Sequence, residues 1–113
     1  MSFEVGEFGP RVPLLIPTGI DCSGAAALKI KYRKPNGVEG EWDADTINPA
    51  TLANEPTKGV LRVVFPNASS LDQPGWWAIN ARIDFGSPTV TDRPLGQSGY
   101  FWVNPLFSRL PGA

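Results

Sequence analysis

The sequence predicts an all-β domain built as a sandwich of two antiparallel sheets. Three observations predict it. Apolar and polar residues alternate with period two in several short runs, the periodicity of half-buried strands. Twelve glycines and twelve prolines interrupt those runs, which disfavours long helices. Turn signals recur roughly every 8–12 residues, giving about seven short strands, as in an immunoglobulin-like sandwich. The 113 residues suit one domain. A domain of that size buries about two-thirds of its unfolded surface, enough for a core without metal or disulfide. The expected division is an N-terminal arm over residues 1–10, the sandwich over 11–104 and a C-terminal arm over 105–113.

The elements follow in order. Residues 11–16 form an apolar run containing Pro13, which cannot donate to a ladder, so an edge strand is expected. Residues 17–24 are turn chemistry, with Gly19, Asp21, Ser23 and Gly24. Residues 27–33 are the clearest strand: Leu28, Ile30 and Tyr32 alternate with Lys29, Lys31 and Arg33. Lys34, Pro35, Asn36 and Gly37 then make a tight turn. The return strand over 38–46 turns Trp42 and Ala44 inward and Glu41, Asp43 and Asp45 outward. Its acidic face lies beside the basic face of the preceding strand, and such cross-strand pairs contribute about 0.2–1 kcal/mol each.

Residues 48–57 read as a loop holding one helical turn at 50–53. Residues 58–65 form a strand with Leu61, Val63 and Phe65 on one face. The longest alternation spans 75–85, with Trp77, Ile79, Ala81, Ile83 and Phe85 on one face and Trp76, Ala78, Asn80, Arg82 and Asp84 on the other. A short edge segment is expected within 89–97, interrupted by Pro94. A last strand over 98–104 sets Tyr100 and Trp102 against Phe101 and Val103.

Several kinds of chemistry are excluded by inventory. The chain has no histidine, so the usual Ser-His-Asp and Cys-His devices are absent. One cysteine and no histidine cannot supply a zinc site. Cys22 has no partner for a disulfide and no flanking base, and reads as a structural thiol made in a reducing compartment. No phosphate-cradling glycine loop is present. A net charge of −1 and a pI of about 5.3 argue against a nucleic-acid partner. No apolar run approaches the roughly 20 residues that span a bilayer, so no membrane partner is expected. The alternating carboxylates Glu39, Glu41, Asp43 and Asp45 read as a solvated strand face rather than a metal or acid–base site. No cofactor, metal or catalytic residue is expected, and the chain reads as a non-enzyme.

The aromatic residues are the remaining feature. Trp76 and Trp77 are adjacent in a strand and must point to opposite faces. With Trp77 in the core, Trp76 is covered by a loop of its own domain, sits at a subunit interface or lines a ligand groove; it is carried forward as a partner-contact candidate. Phe101 is expected beside it as a second contact residue. Leu106, Phe107 and Leu110 offer a docking face on the C-terminal arm.

Ile20-Asp21-Cys22-Ser23-Gly24-Ala25, then Leu28-Lys29-Ile30, Lys34-Pro35-Asn36-Gly37 and Trp42-Asp43-Ala44 follow one another in an ordered series. Leu71-Asp72-Gln73-Pro74-Gly75-Trp76-Trp77 then enters a strand. Together these resemble small structural proteins of tailed bacteriophages, similar in pattern to the N-terminal domain of baseplate upper proteins, over residues 11–104. Cys22 stands where that pattern has an apolar residue, and Asn36 where it has Asp. The resemblance implies an immunoglobulin-like part of the tail, neck or baseplate, made in the host cytoplasm and incorporated in the virion. It implies other virion proteins as partners and no catalytic residues to carry over. Symmetric homo-oligomeric placement is expected, since such particles are built from rings. Two alternatives stand beside it: a carbohydrate-binding or adhesion module with Trp76 or Phe101 as stacking platform, and a capsid decoration protein.

Overall fold

A computed structural model describes residues 2–86, 89–94 and 99–105, the segment 89–94 by its backbone alone. The chain is all-β. In order it forms β1 (Ser2–Glu4), β2 (Leu14–Pro17), β3 (Ala27–Arg33), β4 (Glu39–Asp43) and β5 (Asp45–Thr46). A single 3-10 turn at Pro56–Lys58 follows, then β6 (Val60–Val63), β7 (Gly75–Gly86), β8 (Thr89–Pro94) and β9 (Tyr100–Asn104).

Two sheets result. The main sheet runs β1-β9-β7-β3-β4, with β8 beside the far half of β7. The small sheet runs β2-β6-β5. Both contribute to one core: Leu14, Ile16, Leu61 and Val63 from the small sheet meet Ile30, Trp77, Ile79, Ala81, Ile83, Phe101 and Val103 from the main sheet. The sandwich expected from the sequence is therefore the fold observed. It has nine strands among the described residues rather than about seven, because two expected elements divide or extend.

The first division is at the expected strand 38–46. It breaks at Ala44, so that β4 stays in the main sheet and β5 crosses to the small one. Trp42 and Thr46 can then both face the shared core from different sheets. The second is the N-terminus. The expected arm over residues 1–10 is corrected: β1 pairs with β9 in parallel, Ser2 opposite Trp102 and Glu4 opposite Asn104. Phe3 is 5% exposed and packs edge-on against Phe65 and Phe101. Val5 N–H donates to Asn104 O and Gly6 N–H to Leu71 O, at 3.0 Å each. One apolar ring in the core holds the segment down, and β1–β9 makes the main sheet mixed rather than wholly antiparallel. The C-terminal arm, with Leu106, Phe107 and Leu110, lies outside the described residues.

β7 organises the main sheet. Its Ala78–Asp84 stretch pairs with β3 along one edge. Along the other edge, its start pairs with β9 and its end with β8. Trp77, Ile79, Ala81 and Ile83 are buried and Trp76 is exposed, as the alternation predicts. The helical turn expected at 50–53 is corrected: the loop makes a plain turn over 49–51, Leu52 takes φ 63° as its N–H donates to Asn48 O at 2.7 Å, and the 3-10 turn falls later, at Pro56–Lys58.

Candidate aromatic face and groove

The outer face of the main sheet gathers the residues with the most to offer a partner. Register places Trp76 of β7 directly opposite Trp102 of β9, and Ala78 opposite Tyr100. The two indoles meet edge to face, with ring centroids 5.1 Å apart and planes at 65°. Trp102 Nε1–H donates to Asn104 Oδ1 at 2.6 Å, which orients that ring. Trp76 is 60% exposed and Tyr100 53%. Exposed aromatics of this kind carry a large apolar surface at low entropic cost and commonly anchor ligands or partners.

Phe101 is corrected as a contact residue. It is fully buried, stacked against Trp77 with ring centroids 5.8 Å apart. The strand's alternation puts Phe101 and Val103 inside and Tyr100, Trp102 and Asn104 outside. The two sets are equally apolar at the aromatic positions. Asn104, sharing parity with Trp102, was the sequence signal for the outward set.

Next to the aromatic rings lies a groove of about 320 Å³, lined by Lys31, Arg33, Glu39, Ala78 and Asn80. The pairings Arg33↔Ala78 and Lys31↔Asn80 set the groove beside Trp76 and Tyr100. Ala78 is the small residue between larger neighbours, and its size makes the depression. Arg33 Nε–H and Nη2–H both donate to Glu39 Oε2, at 2.8 and 2.5 Å. Asn80 keeps its Oδ1 enclosed and without a hydrogen-bond partner.

Charge on this face is compensated strand by strand. Lys29 bonds Asp43, Arg33 bonds Glu39, and Arg82 reaches Glu41 at 3.8 Å. The basic and acidic faces of β3 and β4 are thus adjacent, as expected, with Lys29↔Asp43, Lys31↔Glu41 and Arg33↔Glu39 in register. The Asp43 hydrogen bond holds the Lys29 ammonium above its ordinary pKa. Asp45, the last carboxylate of the stripe, leaves for the small sheet and takes two bonds from Arg62. Among the described residues no group of three His, Cys, Asp or Glu side chains could hold a metal ion. No helix among them is long and apolar enough to cross a membrane.

Cys22 is 3% exposed, and its Sγ–H donates to Ile20 O at 3.4 Å. Burial, reinforced by the nearby Asp21 carboxylate, pushes its thiol pKa up, which lowers the thiolate population at neutral pH. That environment suits a core residue.

A second exposed apolar surface lies at the end of the small sheet. Gly9 N–H donates to Phe65 O at 2.9 Å, and the flanking Phe8 and Val64 are 53% and 38% exposed. Pro10 and Pro66 are exposed beside them. No protein-family model, curated protein or solved structure matches this chain.

Proposed function

We propose that this chain is a structural part of a tailed-bacteriophage virion, in the tail, neck or baseplate, working by protein–protein contact and turning over no substrate. The ordered motifs from Asp21 to Trp77 support the virion assignment. The observation that carries the contact reading is the pair of exposed apolar side chains Phe8 and Val64, which flank the Gly9–Phe65 backbone bond at the end of the small sheet. Large apolar side chains left in water beside prolines are a surface that gains by being covered.

The open sheet edges suit side-chain docking better than strand addition. β4 presents Glu39, Glu41 and Asp43, and β2 ends on Pro17, both devices that discourage edge pairing. The absence of histidine and of a nucleophile–base pair supports a binding role.

Immunogold electron microscopy of purified particles tests the assignment, with antibody raised against the whole chain. Label at the tail, neck or baseplate is expected. The variant carrying Phe8→Asp and Val64→Asp should fold with an unchanged circular dichroism spectrum and fail to enter particles. Label on the head would replace the reading with capsid decoration. Protein confined to the lysate would overturn a virion role altogether.

A further inference from the structure

We propose that the outer face of the main sheet binds a neutral saccharide, seated on Trp76 with its hydroxyls turned towards the Arg33–Glu39 groove. This function goes beyond the protein-contact reading and uses a different surface from the Phe8–Val64 pair.

The argument begins with register. One row across the sheet reads Tyr100, Ala78, Arg33, Glu39. The row on one side is Trp102 and Trp76, and the row on the other is Asn80, Lys31, Glu41. A depression at Ala78 is therefore bordered by aromatic rings on one flank and hydrogen-bonding groups on the other. A pyranose has the same division. Its C–H face is apolar and stacks on an indole, while its hydroxyls both donate and accept.

The groove answers both demands. The Arg33 guanidinium donates. Glu39 accepts, and since both Arg33 bonds fall on Oε2, Oε1 retains acceptor capacity. Asn80 lines the groove as well, where its amide nitrogen can donate, its Oδ1 being enclosed in the free protein. The ion pair sets Arg33 and Glu39 side by side at the rim of the groove, both still open to solvent and to a ligand. The groove's volume, about 320 Å³, lies at the low end of the roughly 300–1,000 Å³ of small-molecule sites. A short saccharide fits that size better than a protein segment.

Charge selects the class. Lys29, Lys31, Arg33 and Arg82 share this face with Glu39, Glu41, Asp43 and Asp84, four cations against four carboxylates among the described residues. The face offers no net positive field to a phosphate, a nucleic acid or an acidic sugar. It offers instead paired dipoles and rings, the equipment for a neutral polyol.

The test screens the full chain against an array of neutral and acidic glycans. Titration of maltohexaose, cellohexaose, chitohexaose and a heparin hexasaccharide then follows, read by tryptophan fluorescence and calorimetry. Saturable binding of a neutral glycan is expected. Trp76→Ala should weaken it by roughly tenfold or more, the loss expected of a central aromatic anchor. Arg33→Ala should weaken it to a lesser degree, with the melting midpoint of Trp76→Ala unchanged. Phe8→Asp should leave glycan binding intact, which separates this proposal from the virion-docking one. No neutral glycan bound by the folded chain, binding confined to heparin, or binding indifferent to Trp76→Ala would each overturn it. So would capture of a virion protein that depends on Trp76.

Discussion

Tyr32 lies over Gly40 on the neighbouring strand, and a Cβ built on that glycine would stand 2.6 Å from the Tyr32 Cζ. The absent side chain lets the phenol ring lie flat across β4 and stack on Trp42, with centroids 4.3 Å apart and planes at 25°. Trp42 in turn stacks on Trp77 at 5.9 Å, and Trp77 on Phe101 at 5.8 Å. Trp77 keeps its indole N–H satisfied by Gln73 O at 3.0 Å, which makes full burial tolerable. Gly40 is thus a packing requirement, distinct from Gly37, whose φ of 91° serves the turn while its Cβ direction is open. Gly40→Ala should destabilise the domain by about 1–3 kcal/mol, the usual cost of overpacking. Urea unfolding read by fluorescence checks this, and pairing the change with Tyr32→Leu should recover part of the loss.

At the scale of elements, the β3–β4 hairpin and the β4–β5 crossing determine how the two sheets meet. The hairpin turn closes with Lys34 N–H donating to Val38 O at 2.8 Å and Val38 N–H donating to Asn36 Oδ1 at 3.0 Å. Lys34 reaches across to Asp72 at 2.9 Å and lies 5.7 Å from the centre of a Trp77 ring, tying the turn to the approach of β7. Two residues after β4 begins its exit, Asp45 bonds Arg62 of β6 through two donors, with Nε–H to Oδ1 at 3.0 Å. That pair fastens the short β5 to the small sheet. A double-mutant cycle on Arg62→Ala and Asp45→Ala should give a coupling of about 0.5–1 kcal/mol, since both partners are partly exposed. The coupling should shrink as salt is raised from low to molar concentration. A coupling that ignores salt would mean the pair acts through packing instead.

For the whole molecule, the N-terminal strand closes the fold. Phe3 packs edge-on against Phe65 of the segment after β6 and Phe101 of β9, both at 5.4 Å. Its ring therefore bridges material from the two sheets. Phe3→Ala should cost about 3 kcal/mol, near the lower end for a buried phenylalanine, because the segment lies at a chain end. Marginal domains hold only about 5–15 kcal/mol in total, so this one change should lower the melting temperature visibly. Phe3→Leu should retain most of the stability. Equal loss in both variants would mean that the aromatic edge contacts, and not burial, hold the strand.

The amino-acid pattern by itself determined the all-β class, the spans of β3 and β7, the hairpin turn at 34–37 and the charge ladder between β3 and β4. These are local properties: period-two alternation, turn residues with particular φ requirements, and side chains whose register follows from a five-residue connection. It also determined that Trp76 faces away from Trp77, because neighbours in a strand cannot share a face. Three things were decided only by the tertiary structure. Which parity of β9 faces the core was marked in the sequence by Asn104 alone, and because Tyr100 and Trp102 are as apolar as Phe101 it was the pairing with β7 that sent Phe101 inside and Trp102 beside Trp76. Whether residues 2–4 make an arm or a strand depends on a long-range pairing with β9 that no local pattern encodes. And the groove exists because the hairpin pair Arg33 and Glu39 meets Ala78 and Asn80, far along the chain, only when β3 and β7 stand in register. Short-range sterics and periodicity act within a strand, whereas a site is a property of neighbouring strands.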